Sequence, residues 1–268
     1  MIKLKFYTIC CCIAFLLIII LFADYLSPFD PYQQNLAIAL QSPNNLHLLG
    51  TDRYGRDIVS RILVGGQSTI FSALFIVFCS SIFGSFLGMI CGYFGKTIDN
   101  LLMRFTDTFL AFPGIVFAIA FVGILGSGIS NTIIALILIS WPKFALLARS
   151  QTLQIKTLPF IKASIISGSS SMKIILTHIL PNIFPTLIVT TMLSISTIIM
   201  EIAGLSFLGL GAMPPSAEWG AMMNNGRNYL QTAPHVIFAP GIAIFITVIL
   251  FNLLADTLNE LLNPKNIH

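Results

Sequence analysis

Three charged residues at or inside apolar stretches are the first places where this 268-residue chain could do chemistry: Arg104, Asp107 and Glu201. A charge at the centre of a membrane helix costs roughly 2.5–3.5 kcal/mol on insertion scales, so each needs a partner or a purpose. Arg104 and Asp107 stand three apart, a spacing that lets them pair on one helix face, and we read them as structural. Glu201 ends an apolar run and precedes I-A-G-L-S-F-L-G-L-G-A-M-P-P-S-A-E-W-G. This segment alternates glycine with large apolar residues and breaks at Pro214-Pro215. It reads as a re-entrant loop lining a pathway, or else as a plain surface loop. His47, His178, His235 and His268 are far apart on different loops and make no ligand set. Cys10, Cys11, Cys12, Cys79 and Cys91 all fall in apolar runs without C-x-x-C spacing, which reads as buried thiols rather than disulfides or zinc ligands. The motifs G-x-x-x-x-G-K-S/T, H-E-x-x-H and G-x-S-x-G do not occur, so ATP hydrolysis, zinc hydrolysis and a serine nucleophile are not expected of this chain.

A second kind of chemistry is concentrated between Ile155 and Asn182. Lys156, Lys162 and Lys173 stand there without an acidic residue, inside a gap from Asp107 to Glu201 that holds no acid at all. Pro159 opens a segment, Phe160 to Ser167, long enough for two helical turns. Gly168 suits the left-handed conformation at a helix end. Ser171 to Leu180 predicts a second short helix, closed by Pro181. A loop folded into two short helices presents a surface to a soluble partner, while a basic loop lying on anionic lipid is the competing reading.

The elements that must position these residues are membrane helices. The chain is 56% hydrophobic and 9% charged, against about a quarter charged in soluble domains. It therefore reads as an all-α, polytopic membrane protein with about six transmembrane helices. The +4 net charge is scattered over loops and gives no reason to expect nucleic acid. Lys3 and Lys5 precede an apolar run from Phe6 to Ala23, read as an uncleaved first span rather than a signal peptide. The polar region Asp24 to Gln67 contains Ile58, Val59, Ile62 and Leu63 on one helical face, with Arg53, Arg56, Asp57, Ser60 and Arg61 on the rest. We expect a short helix on the outer membrane surface, ended by Gly65-Gly66. Further spans are expected at Ser68 to Tyr93, Leu101 to Leu125, Asn131 to Ser150, Asn182 to Ala203 and Val236 to Leu258, each near the twenty residues that cross about 30 Å of hydrocarbon. Asp256 and Glu260, at the inner end of the last, are expected to be solvated. Gly84, Gly88 and Gly92 form a small-residue stripe that admits a close neighbour. With the amino terminus inside, Lys3, Lys5, Lys96, Arg149, Lys156, Lys162, Lys173 and Lys265 are cytoplasmic and Arg53, Arg56, Arg61 and Arg227 external, a positive-inside bias. No internal repeat of the kind found in secondary carriers is present.

With these residues in view, a family resemblance emerges. Lys162-Ala163-Ser164-x-x-x-Gly168, followed by Ile179-Leu180-Pro181-Asn182, resembles the coupling motif of binding-protein-dependent ABC importer permeases, E-A-A-x-x-x-G then I-x-L-P. Three further stretches are similar to the dipeptide/oligopeptide/nickel permease family: H-L-L-G-T-D-R-Y-G-R-D-I-V-S-R at His47 to Arg61, L-S-F-L-G-L-G at Leu205 to Gly211, and P-P-S-A-E-W-G at Pro214 to Gly220. The resemblance covers essentially the whole chain, in the family's order. Lys162 replaces the usual glutamate and Ser164 an alanine, so the family's salt bridge to the ATPase is not implied, whereas the turn is.

The nearest likeness inside the family is to nickel-transport permeases, through N-N-L-H-L-L-G-T-D, L-G-S-G-I-S-N (Leu125 to Asn131), the coupling loop lacking its glutamate, and E-W-G-A-M-M-N-N-G-R-N-Y with F-N-L-L-A-D. The resemblance implies a type I ABC importer permease fold. It divides the chain into a first helix with extracytoplasmic segment (1–67), a permease domain (68–259) whose coupling loop spans 151–181, and a tail (260–268). It implies a pathway for nickel, free or chelated; dipeptides, oligopeptides or opine-type metallophores are the alternative, and a membrane-embedded enzyme or assembly factor a remote one. The implied partners are a second homologous permease, two cytoplasmic ATP-binding subunits, an external substrate-binding protein and membrane lipid. The implied location is the bacterial cytoplasmic membrane, with both termini cytoplasmic. No catalytic residue, metal ligand or bound cofactor is expected, ATP being used by the partner subunits. Phe160, Lys162, Ala163, Ser164, Gly168, Ser169, Ile179, Leu180 and Pro181 are the coupling-loop residues. Glu201, Ser206, Phe207, Gly209, Trp219 and Arg227, with the His47 region, are the candidates for pathway lining or binding-protein docking.

Overall fold

Lipid offers no partner to a backbone N–H or C=O, so an apolar chain crossing it must close its hydrogen bonds within each segment. Residues 2–262 are described by a computed structural model of the chain, and among them every regular element is a helix. Among the described residues five helices are long and apolar enough to span a membrane, or six when one bent pair is counted as a span. Helix α1 (Ile2–Leu21) breaks at Phe22 and continues as a single turn, α2 (Ala23–Leu26).

The expected surface helix is α3 (Ile58–Gly66), but it does not stop at its two glycines. It passes through a π-helical turn, Gln67–Phe71, into α4 (Ser72–Phe94), and the three together form a 37-residue span. Gly65 and Gly66 are there for space. A Cβ on Gly65 would lie 3.2 Å from Trp219 Cδ1, and one on Gly66 would lie 3.0 Å from Trp219 Cζ2. Nor do the polar residues in and just before α3 face water. Arg56, Asp57, Ser60 and Arg61 are all buried, because the segment after α2 and the loop before Trp219 close over them.

The glycine stripe of α4 packs on α7 (Ile129–Ile155). A Cβ on Gly84 or Gly88 would overlap the carbonyls of Trp141 or Ala145, and one on Gly92 would lie 2.8 Å from Thr152 Cβ. Two backbones thus approach within a distance that no side chain permits. Between these helices, the expected span from Leu101 to Leu125 is broken. Helix α5 (Lys96–Leu110) and α6 (Gly114–Leu125) meet at 88°. Pro113 supplies no N–H and turns Phe112 away from helical geometry. The Arg104–Asp107 pair is absent among the described residues, both side chains being exposed on α5. The acid used is Asp99, whose Oδ2 accepts from Arg149 Nη2 at 2.7 Å and so ties α5 to α7.

After α7 come α8 (Pro159–Ile166) and α9 (Ser171–Ile174). Pro181 does not end the next helix as expected. A second π turn, Ile175–Ile179, widens the coil just before it, and Pro181 sits in the first turn of α10 (Leu180–Phe207), so Ser171 to Phe207 is one 37-residue span. Asn182 Nδ2 donates to His178 O at 2.6 Å, supplying a donor where the proline disturbs the ladder. Glu201 is consequently six residues inside α10 rather than at its end. Helix α11 (Trp219–Gly226) and α12 (His235–Leu262) complete the fold.

Of the cysteines only Cys91 is buried; Cys11 and Cys12 are exposed, Cys10 and Cys79 half-buried, and all five are free thiols. His178 lies inside the π turn, His235 opens α12, and Asp256 is exposed, while Lys265 and His268 lie outside the described residues.

Candidate functional site

Three constellations contain the chemistry-bearing residues. The first is the knob made by α8 and α9. Leu158 is extended and Pro159 supplies the fixed first-turn geometry that starts α8. Gly168 ends it at φ +77°, with Gly168 N donating to Ile165 O and Ser169 N to Ser164 O at 3.1 Å, a closure that satisfies the last carbonyls. No heavy atom lies within 4 Å of a Cβ placed on Gly168, so that glycine is required by its dihedral angle alone. Ser170 Oγ caps α9 by accepting from Lys173 N.

One side of the knob is anchored. Ile161, Ile174, Ile175, Ile179 and Ile183 are completely buried and form one apolar cluster with Met89, Ala148 and Ile155. The other side presents Phe160, Ile165, Met172 and Ile166, the last 87% exposed, with Lys162 and Ala163 also exposed. Ser164, Ser169 and Leu180 are half-buried at the boundary, and Pro181 is exposed. Lys156 Nζ donates to Tyr93 O and its charge lies over the Tyr93 ring at 5.6 Å, fastening the base of the loop to the end of α4.

The second constellation lies at the opposite ends of these helices. Trp219 is 1% exposed and donates Nε1–H to Ile62 O at 2.9 Å. Glu218, fully buried, caps α11: Oε1 accepts from Gly220 N and Thr69 Oγ1, both at 3.0 Å, and Oε2 from Ala221 N at 2.8 Å. Its burial, only partly offset by these donors, pushes the carboxyl above its ordinary range. Arg61 donates to the carbonyls of Pro31 (2.8 Å) and Ser216 (3.4 Å), and Asp52 pairs with Arg56 at 2.6 Å. Asp57 caps α3 through Ser60 N at 2.8 Å and meets His47 Nδ1 at 2.9 Å. These contacts staple the corner, with Arg61 Nε left only a 3.6 Å ionic contact to Asp52 and no hydrogen bond. Ser206 and Trp219 belong to this packed region rather than to an open surface. Gly209 turns the chain at φ +85° behind α10, Phe207 lines an apolar cavity beside Met200 and Gly241, and Arg227 is exposed after α11.

The third constellation is inside the membrane-spanning part. A 130 Å³ cavity between α7 and α10 is lined by Lys143, Ser194, Thr197, Ser140 and Glu201 among apolar side chains. Lys143 Nζ donates to Ser194 Oγ at 3.2 Å, and Ser194 Oγ donates in turn to Thr190 O at 2.7 Å. Of the residues expected from sequence to line a pathway, Glu201 is the one in this cavity. Lys143 was missed, although a lysine midway along a 27-residue apolar helix is itself a signal. Among the described residues no group of three or more His, Cys, Asp or Glu is placed to hold a metal ion.

Comparison with known proteins identifies the family. Residues 84–268 match the family described as binding-protein-dependent transport system inner membrane component. The glutathione transport system permease protein GsiD of Escherichia coli O6:K15:H31 is 44% identical over 254 residues, 93% of this chain and 83% of the relative. GsiD of Pectobacterium atrosepticum is 42% identical over 251 residues, with the same coverage. Two chains of the inward-facing MetNI methionine ABC transporter share the fold. One has a TM-score of 0.61 at 18% identity, covering 75% of this chain and 95% of that one. The other has a TM-score of 0.54 at 22% identity, covering 72% and 93%. The two GsiD relatives are named for glutathione, not nickel. The chain belongs to the inner-membrane components of binding-protein-dependent transport systems: it is a multi-pass permease of an ABC importer with the type I fold.

Proposed function

We propose that the chain forms, with a second permease, the membrane pathway for a peptide-type substrate such as glutathione, and that α8–α9 is the knob gripped by two cytoplasmic ATP-binding subunits. The observation that carries the reading is the two-sided knob. Its buried isoleucines weld it to the ends of α4, α7 and α10, while Phe160, Ile165, Ile166 and Met172 are left bare beside Lys162. Large apolar side chains bared on α8, between the membrane-spanning helices, and continued by Met172 at the start of the next, mark a protein contact. The basic residues Lys3, Lys5, Lys96, Arg149, Lys156, Lys162 and Lys173 support placing that end, and both termini, in the cytoplasm. The opposite corner would then face an external substrate-binding protein, with Arg227 exposed there.

Closure of the ATPase pair on ATP would move the knob, and with it α7 and α10. A few kcal/mol of differential binding is enough to shift an inward-open to outward-open equilibrium. ATP would be consumed by the partners. The 44% identity to glutathione permeases supports a peptide cargo.

Uptake of radiolabelled glutathione, a dipeptide and nickel by the reconstituted complex tests the cargo. Transport of nickel without peptide would overturn it. Gly168→Val is expected to abolish uptake while the protein still inserts. Unchanged uptake in that variant would remove the knob from its role.

A further inference from the structure

The cavity between α7 and α10 is lined by one basic and one acidic side chain, Lys143 and Glu201, that make no direct ion pair among the described residues. Lys143 spends one of its three donors on Ser194, and Ser194 is locked in the accepting role because its own hydrogen goes to Thr190 O. The two remaining N–H groups of Lys143 have no hydrogen-bond acceptor, and the Glu201 carboxylate accepts no hydrogen bond, among the described residues. Lys143 is exposed and Glu201 half-buried, so both groups are open to a ligand entering the cavity, and ionisable residues inside membrane-spanning helices mark functional positions.

The spacing is informative. Lys143 is tied to Ser194, and Glu201 lies seven residues further along the same helix, two turns or about 10 Å at 1.5 Å per residue. An extended peptide of two or three residues covers about 7–10 Å at its full reach. Such a peptide carries an ammonium at one end and a carboxylate at the other. Thr197 lies between, with Ser140 on the facing helix, and both add hydroxyls without charge, while Val77, Phe144 and Ile198 make up the rest of the wall.

We propose that Lys143 and Glu201 form a zwitterion cradle in the pathway, Lys143 taking the carboxylate end and Glu201 the ammonium end of a short peptide. The inference rests on the peptide reading above and adds the residues and polarity of the contact. Glu201 is nearer the Trp219 end of the bundle, so the peptide would lie with its amino end towards that corner.

The test uses the whole complex in proteoliposomes, with Ala-Ala, its N-acetylated form and its carboxyl-amidated form as probes. Uptake is divided by the external binding protein's own affinity for each. In the unaltered complex each cap is expected to lower uptake about tenfold, the scale of losing one hydrogen bond to a charged group. Lys143→Met should lose the response to amidation and keep the response to acetylation, and Glu201→Gln should do the reverse, which is the non-additivity expected of groups in direct contact. Co-purification of the second permease and ATP hydrolysis stimulated by the binding protein are measured on the same samples. Capped and free peptides carried alike by the unaltered complex, or cap responses kept in both variants, would overturn the cradle. So would loss of the second permease from Lys143→Met or Glu201→Gln, because the charges would then belong to the subunit interface. An unaltered complex that carries no peptide at all would instead remove the parent reading.

Discussion

The two ends of this bundle use glycine for opposite reasons. At the corner built on Trp219, Gly65, Gly66 and Gly220 have ordinary helical dihedrals and no room: a Cβ on Gly220 would overlap the carbonyl of Ala203. At the knob, Gly168 has unlimited room and a dihedral that L side chains resist. One end is constrained by what surrounds it, the other by its own backbone. The contrast separates a region where substitution breaks the fold from one where it breaks a moving part.

The most severe test of that contrast is Gly220→Val. Overpacking costs about 1–3 kcal/mol even where side chains can yield, and here the obstacle is backbone. We expect folded protein to be lost from the membrane fraction, measured by fluorescence-detected size exclusion, and a normal elution profile would refute the corner's rigidity. Glu218→Ala comes next. It leaves the Gly220 and Ala221 amides without their acceptor in a dry site, while the Thr69 hydroxyl keeps the Gly65 carbonyl at 3.0 Å, a loss of about 2–4 kcal/mol in thermal unfolding. At the knob, Gly168→Ala should cost only about 1–2 kcal/mol for a left-handed dihedral, whereas Gly168→Asn should keep most uptake because asparagine tolerates that conformation. Equal loss with Ala and Asn would mean that space, not φ, governs the site.

The smallest effect concerns pH. Burial raises the Glu218 carboxyl above its unfolded value, so its contribution favours the protonated form. That contribution is complete below the ordinary carboxylate pKa of about 4.3 and is lost as pH rises through the raised value. The melting temperature of the unaltered protein should therefore decline across that interval more than that of Glu218→Gln, which carries no titrating group. Parallel profiles would show that the hydrogen bonds outweigh the burial.

The same contrast explains what could be read in advance. Gly168 is legible because a dihedral requirement follows from local residues, Pro159 before the helix and a polar turn after it. Membrane helices are legible because twenty apolar residues need no tertiary information. Gly65-Gly66 looked like a helix end because the residues that need their space are distant, Trp219 more than 150 positions away and Ile20 on α1. Pro181 looked like another because a π turn is invisible in residue types. Arg104 and Asp107 had the right spacing, but Asp99 found Arg149 across the contact of α5 with α7, which no local residue announces. Arg56, Asp57, Ser60 and Arg61 resembled a wet helix face because nothing local announces the loops that cover them. Lys143 needed no such distant information and was a plain omission.

The unbroken helix from Ser171 to Phe207 has a mechanical consequence. At 1.5 Å per residue it is a rod of about 55 Å, so a tilt of about 5° at its lower end sweeps the upper end through about 5 Å. A nudge the width of one methyl group near Ile175 is thereby magnified by leverage before it reaches the level of Glu201, and no relay of rearranging side chains is required along the way.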